Sequence, residues 1–79
     1  MNLINFQNTL VTIQTYDYNK DPLKTYKGYC KTPPLVGEFF FLFKENKTSF
    51  IKHIFGVVIS IDGDYIKTTQ GYFKIKINE

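Results

Sequence analysis

The sequence predicts a small all-β protein: a single domain of five to six antiparallel strands, closed as an SH3-like or OB-like barrel and ending in a three-stranded meander. Three observations carry this expectation. Aromatic and β-branched side chains dominate, and these suit a pleated, half-buried surface. No stretch repeats its apolar residues at the 3.6-residue period of an amphipathic helix. Turn-forming residues recur at short, regular intervals, the spacing of a small barrel or sandwich.

The turns divide the chain. Asn19-Lys20-Asp21-Pro22 is the first, and Thr32-Pro33-Pro34 the second, since neither proline can donate to a strand ladder. Glu45-Asn46-Lys47, Asp62-Gly63 and Gln70-Gly71 follow. Between them lie candidate strands over residues 9–17, 24–31, 38–44, 50–61, 64–69 and 72–77. A two-residue type I′ loop at Asp62-Gly63 sets Ile59 opposite Ile66 and Val57 opposite Thr68. A second such loop at Gln70-Gly71 sets Ile66 opposite Ile75 and Thr68 opposite Phe73. The two registers agree on one apolar face, with Val57, Ile59, Ile61, Ile66, Phe73, Ile75 and Ile77 as core. The other face carries Ser60, Tyr65, Lys67, Thr69, Tyr72, Lys74 and Lys76, with Val58 as its exception.

With 79 residues, the chain has room for one core and no second domain. Folding a chain this short hides only ~60–65% of its unfolded surface, so every apolar strand is needed. Nothing staples it, because the one cysteine, Cys30, can form no internal disulfide. A reducing cytoplasm is the expected compartment. The N-terminal residues lack the pattern of a signal peptide. The longest apolar runs, Phe39–Phe43 and residues 54–59, fall far short of the ~20 residues of a membrane-spanning helix.

The net charge is +3, and all 10 basic residues are lysines. Without arginine there is no bidentate guanidinium fork for phosphate or guanine. On the last two strands Lys67 is expected opposite Lys74, a like-charge pair that a bound polyanion would relieve, with Tyr65 and Tyr72 as stacking platforms. Lys76 extends this face. A second basic and aromatic stretch runs through Lys24, Tyr26, Lys27, Tyr29 and Lys31, of which Lys27, Tyr29 and Lys31 share a face. Both stretches are also what ordinary solvent-facing strands of a lysine-rich protein look like.

The strand from Phe39 to Phe43 is apolar on both sides. Phe39, Phe41 and Phe43 are expected to supply the core, which leaves Phe40 and Leu42 to face a partner protein or a second copy of the chain. The competing arrangement is a curled barrel in which Leu3, Ile4 and Phe6 cover that second face. His53 and Cys30 are the only residues of the usual base and nucleophile types. His53 shares a face with Ile51 and Phe55 and reads as a partly buried structural histidine, Cys30 as a small buried hydrophobe. No catalytic residue, metal-ligand set or cofactor motif is assigned, so the expectation is a binding module and not an enzyme.

Several segments resemble short uncharacterised all-β proteins encoded by bacteriophages and mobile elements: Pro34-Leu35-Val36-Gly37-Glu38-Phe39, Thr48-Ser49 and Ile66-Lys67-Thr68-Thr69-Gln70-Gly71-Tyr72-Phe73-Lys74-Ile75. Members of that group generally keep an asparagine–serine pair where this chain has Gln70-Gly71. The resemblance implies a viral origin and the roles of small phage proteins, among them anti-defence inhibition, as by anti-CRISPR proteins. The partner would then be a host defence nuclease or its complex, met in the host cytoplasm. Two functions follow from the sequence: a protein-binding inhibitor, or a nucleic-acid-binding module that uses the Tyr/Lys face.

Overall fold

The computed structural model describes residues 9–45 and 50–78, and its regular structure is entirely strand. Six strands follow in order: β1 (Thr9–Tyr16), β2 (Pro22–Cys30), β3 (Phe39–Phe43), β4 (Ile51–Asp62), β5 (Tyr65–Thr68) and β6 (Gly71–Ile77). Each pairs antiparallel with the next, and β6 returns to β1, closing a barrel. Because neighbours in the barrel are neighbours in sequence, the topology is an up-and-down meander without the Greek-key crossing of an OB-type barrel. Closure also hides the polar backbone edges that an open sheet would expose. No helix long and apolar enough to cross a membrane occurs among the described residues.

Local chemistry shapes the turns. Between β1 and β2 the Asp17 carboxylate accepts hydrogen bonds from the backbone N–H groups of Asn19 (2.9 Å) and Asp21 (3.0 Å). This lets Lys20 take a positive φ of 65°. The β4–β5 loop is Gly63-Asp64, one residue later than expected, because Asp62 already pairs with Tyr65. Gly63 alone adopts a positive φ, 61°, the pattern of a type II′ turn rather than type I′. The β5–β6 loop is Thr69-Gln70, one residue earlier than expected.

These shifts correct the expected registers. Ile61, not Ile59, lies opposite Ile66, and Val58, not Val57, lies opposite Thr68. Across the last hairpin Ile66 meets Phe73, and Thr68 meets Gly71. The core assignment changes on β4: Val58 is buried, whereas Ile59 and Ile61 are exposed. The cause is bulging. One extra residue, Ile59, sits between the Val58 and Ser60 pairings, and the β3 register slips again between the Val57 and Ile54 pairings. Gly56 lies in that second slip with a φ of 91°, and a Cβ there would stand 2.5 Å from the Thr69 hydroxyl oxygen. Each bulge bends the strand and reverses its inside–outside parity, so Phe55 and Val58 both point inward at a spacing of three.

The core holds Val11, Ile13, Cys30, Phe40, Leu42, Phe55, Val58, Ile66 and Phe73, with Tyr26, Ile75 and Ile77 packed against it. Phe40 stacks on Phe73 with ring centroids 5.1 Å apart, and Phe55 touches both rings at 5.8 and 5.5 Å. The expectation for β3 is therefore reversed. Phe40 and Leu42 are buried at 2% and 0% exposure, and Phe39 is 58% exposed. Strand alternation separates the two sets of side chains, but with both faces apolar it does not say which one is concave. Pairing decides: Phe43 lies opposite Tyr29 on the outside, while Leu42 packs beside Gly28, whose missing side chain leaves it room. Leu3, Ile4 and Phe6 lie outside the described residues.

Gly71 permits closure. A Cβ there would fall 2.4 Å from the Tyr16 carbonyl oxygen, so only glycine lets β6 approach β1 this closely. Thr68 is buried, and its hydroxyl accepts from the Gln70 N–H and donates to the Gly71 carbonyl, which satisfies a polar group inside the barrel.

Inside and outside on β3 can be tested by paired substitutions. Leu42→Ala should lower the unfolding free energy by ~2–5 kcal/mol, whereas Phe39→Ser should change it by no more than ~0.5 kcal/mol. Urea denaturation of both variants reads the difference, and the opposite ranking would overturn the face assignment.

Candidate functional site

The barrel wall presents two chemically different outer faces. The first is built on β3 and β4. Because Phe40 and Leu42 point inward, Phe39, Phe41 and Phe43 must point outward, and their rings form a ladder with centroids 6.2 and 6.3 Å apart. Directly paired residues share a face, so Val57, Ile54 and Ile51 of β4 stand beside them. Ile51 and Ile54 are nearly half exposed, and Phe50, just before β4, is 75% exposed. Charges of both signs fringe this surface: Lys31 places its ammonium 4.3 Å from the Phe43 ring centroid, Lys44 and Glu45 lie beside Phe50 and Ile51, and Glu38 precedes Phe39. The Lys52 ammonium donates to the Lys27 carbonyl at 2.6 Å.

The second face is the outer wall of β5, β6, β1 and β2. None of these four strands contains an aspartate or glutamate. Their outward positions carry Lys67, Lys74, Lys76 and Lys27 among tyrosines. The expected Lys67–Lys74 pair does not form. With the register shifted by the β5–β6 loop, Lys67 lies opposite Tyr72, and Lys74 opposite Gln14. The two basic stretches do join, because Thr12 pairs with Lys76 on one side and Lys27 on the other. Tyr29 instead meets Leu10 and Phe43, and so it borders the apolar face together with Lys31.

Barrel closure adds residues to this wall that sequence reasoning missed. Tyr16 packs edge-on against Tyr65 at 5.3 Å, Tyr65 against Tyr72 at 5.8 Å, and Tyr72 against Tyr18 at 6.1 Å. Lys20 and Lys74 hold their ammonium groups 4.7 and 4.4 Å from the Tyr65 ring centroid, within cation–π range. The Tyr18 hydroxyl donates to the Thr68 carbonyl at 2.9 Å, pinning the β1–β2 turn onto β5. No local pattern foretells this cluster, because Tyr16 and Tyr18 are some fifty positions from their partners. An open groove of about 510 Å³ continues from it, lined by Thr12, Gln14, Tyr16, Thr25, Lys74, Ile75 and Lys76, with Asp64 as the carboxylate in its lining.

His53 and Cys30 occupy separate environments. The Cys30 side chain is fully buried; burial pushes its thiol up to about 12, so it stays protonated, and it donates to the Thr32 carbonyl at 2.7 Å. His53 stacks on Tyr26 at 4.0 Å and meets the Phe55 ring at 4.5 Å. It lines a cavity of about 140 Å³ at one end of the barrel, with Tyr26, Phe55, Thr68 and Gln70 among its neighbours.

Desolvation, and secondarily the positive charge of Lys24, lowers the His53 pKa below 6.5. The folded state therefore binds a proton less readily than the unfolded chain. Stability from this residue is intact above 6.5 and is lost as the pH falls from there through the folded-state value. His53→Phe keeps a ring on Tyr26 and removes the titration, so thermal melts between roughly pH 7 and pH 5 should show a shallower loss than wild type. Comparison with protein-family models, curated protein sequences and solved structures finds no match, so the functional reading rests on these two faces and their chemistry.

Proposed function

We propose that this protein is a non-enzymatic binding module that docks another protein on the outer face of β3 and β4. The observation that carries the reading is the ladder Phe39, Phe41 and Phe43 beside Ile51 and Ile54, with Phe39 at 58% and Ile54 at 43% exposure. Burying a side chain of this size fully contributes ~1.5–3 kcal/mol, and contiguous apolar groups on a monomer mark an interaction site. Aromatic residues at the centre and charged groups at the rim are the usual anatomy of a protein interface. The rim here holds Lys31 and Lys44 together with Glu38 and Glu45, so a complementary partner is apolar at its centre and carries charge of both signs at its edge.

The likeness to small phage proteins extends the proposal to a host defence protein, such as a nuclease or its complex, as that partner. With a net charge of +3, this chain would not act by imitating nucleic acid. It would cover an apolar surface with a charged rim on its target instead.

The test uses purified wild type and the double variant Phe39→Ser/Ile54→Ser as bait for nuclease-treated bacterial lysate. A host protein should be retained by wild type and lost by the variant, and the purified pair should bind with an affinity at least ~100-fold weaker for the variant, as for loss of two interface anchors. Light scattering should meanwhile show both baits monomeric, and circular dichroism should show both folded. Equal binding by both baits would reject this face, and self-association of wild type alone would make it a homo-oligomer contact.

A further inference from the structure

We propose that the opposite wall, β5–β6–β1–β2, is a second binding surface, specific for single-stranded nucleic acid. It shares no residue with the apolar face and does not depend on the protein-binding proposal. The argument begins with charge. These four strands contain lysines and no carboxylate, and the register places Lys76, Thr12 and Lys27 in one row across three of them. A phosphate chain laid along β6 would pass Lys74 and then Lys76, two residues and so ~7 Å apart on a strand. That is close to the repeat of an extended single strand.

The tyrosines choose between single and double strands. Tyr16, Tyr65, Tyr72 and Tyr18 touch in sequence, each edge-on to the next, so they form one continuous aromatic patch at the head of the groove. Lys20 and Lys74 lie over the Tyr65 ring, and each is placed to exchange that ring for a phosphate when a base stacks there. Bases in a duplex hide their faces from such a patch, whereas unpaired bases offer them. The chain has no arginine for bidentate reading of base edges, so recognition rests on stacking and backbone charge and is indifferent to sequence. Asp64, in the groove lining, opposes a polyanion, as do Asp62 beside Tyr65 and Asp17 and Asp21 in the Lys20 turn, and the place of Asp64 in the lining supplies a test of opposite sign.

Fluorescence anisotropy with a labelled oligothymidylate, a duplex of equal length and a polyglutamate peptide distinguishes the outcomes. The oligothymidylate should bind more tightly than the duplex. With about three phosphate contacts, its affinity should fall roughly 20-fold between ~50 and ~200 mM salt. Lys74→Glu/Lys76→Glu should abolish binding, Tyr65→Leu should weaken it about tenfold, and Asp64→Asn should strengthen it, with circular dichroism reporting intact folds. Phe39→Ser/Ile54→Ser should leave it unchanged, which separates this surface from the apolar one. Binding of polyglutamate in preference to the oligonucleotide would reassign the wall to acidic proteins. Equal binding of single and double strands, or no binding at low salt, would overturn the proposal.

Discussion

Three phenylalanine rings at the centre of the barrel set the terms for everything around them. Phe40 from β3, Phe55 from β4 and Phe73 from β6 pack with centroids between 5.1 and 5.8 Å. A strand alternates its side chains, so each inward ring determines the faces of its neighbours. With Phe40 inside, Phe39 and Phe41 are outside. With Phe73 inside, Tyr72 and Lys74 are outside. Both surface faces are consequences of this one packing arrangement, and neither could be moved without emptying the core.

Strand β4 is where the alternation has to be broken. It is the longest strand, 12 residues, and it must serve β3 at one end and β5 at the other while the sheet curls. A bulge at each change of register supplies the bend, and Gly56 accepts the backbone conformation that one of them requires. The same device brings Val58 into the core and leaves Ile54 and Ile59 exposed. Much of the apolar character of the outer face therefore follows from a bend needed for closure.

Closure in turn sorts the surface by chemistry. Gly71 lets β6 lie against β1, which brings Tyr16 and the Lys20 turn to Tyr65 and Tyr72. Lys74 of that wall and Lys20 of the turn lie over its aromatic rings, each such contact worth ~0.5–1 kcal/mol at an exposed site. On the other side, Lys31 lies over the Phe43 ring, while Phe39 is 58% and Ile54 43% exposed.

The amino-acid sequence by itself determined the strand content, the number and approximate limits of the strands, and the alternation within each one except β4, where bulges reverse it. Residue type and turn chemistry are local, and both are written in short stretches such as Phe39–Phe43 or Asp62-Gly63-Asp64. Buried Cys30 and the outward Tyr65, Lys67, Tyr72 and Lys74 were legible for the same reason. What tertiary structure alone decided was which side of an apolar strand is concave, and where register slips. Phe40 and Phe41 are the same residue type within one unbroken apolar run, and only the curl of the sheet distinguishes them. Loop placement differed by a single residue at each hairpin, yet one residue moves a cross-strand partner by two positions, which is why Ile66 meets Phe73 instead of Ile75. The Tyr16–Tyr65 contact lay beyond local reading altogether, because it exists only once the last strand has closed on the first.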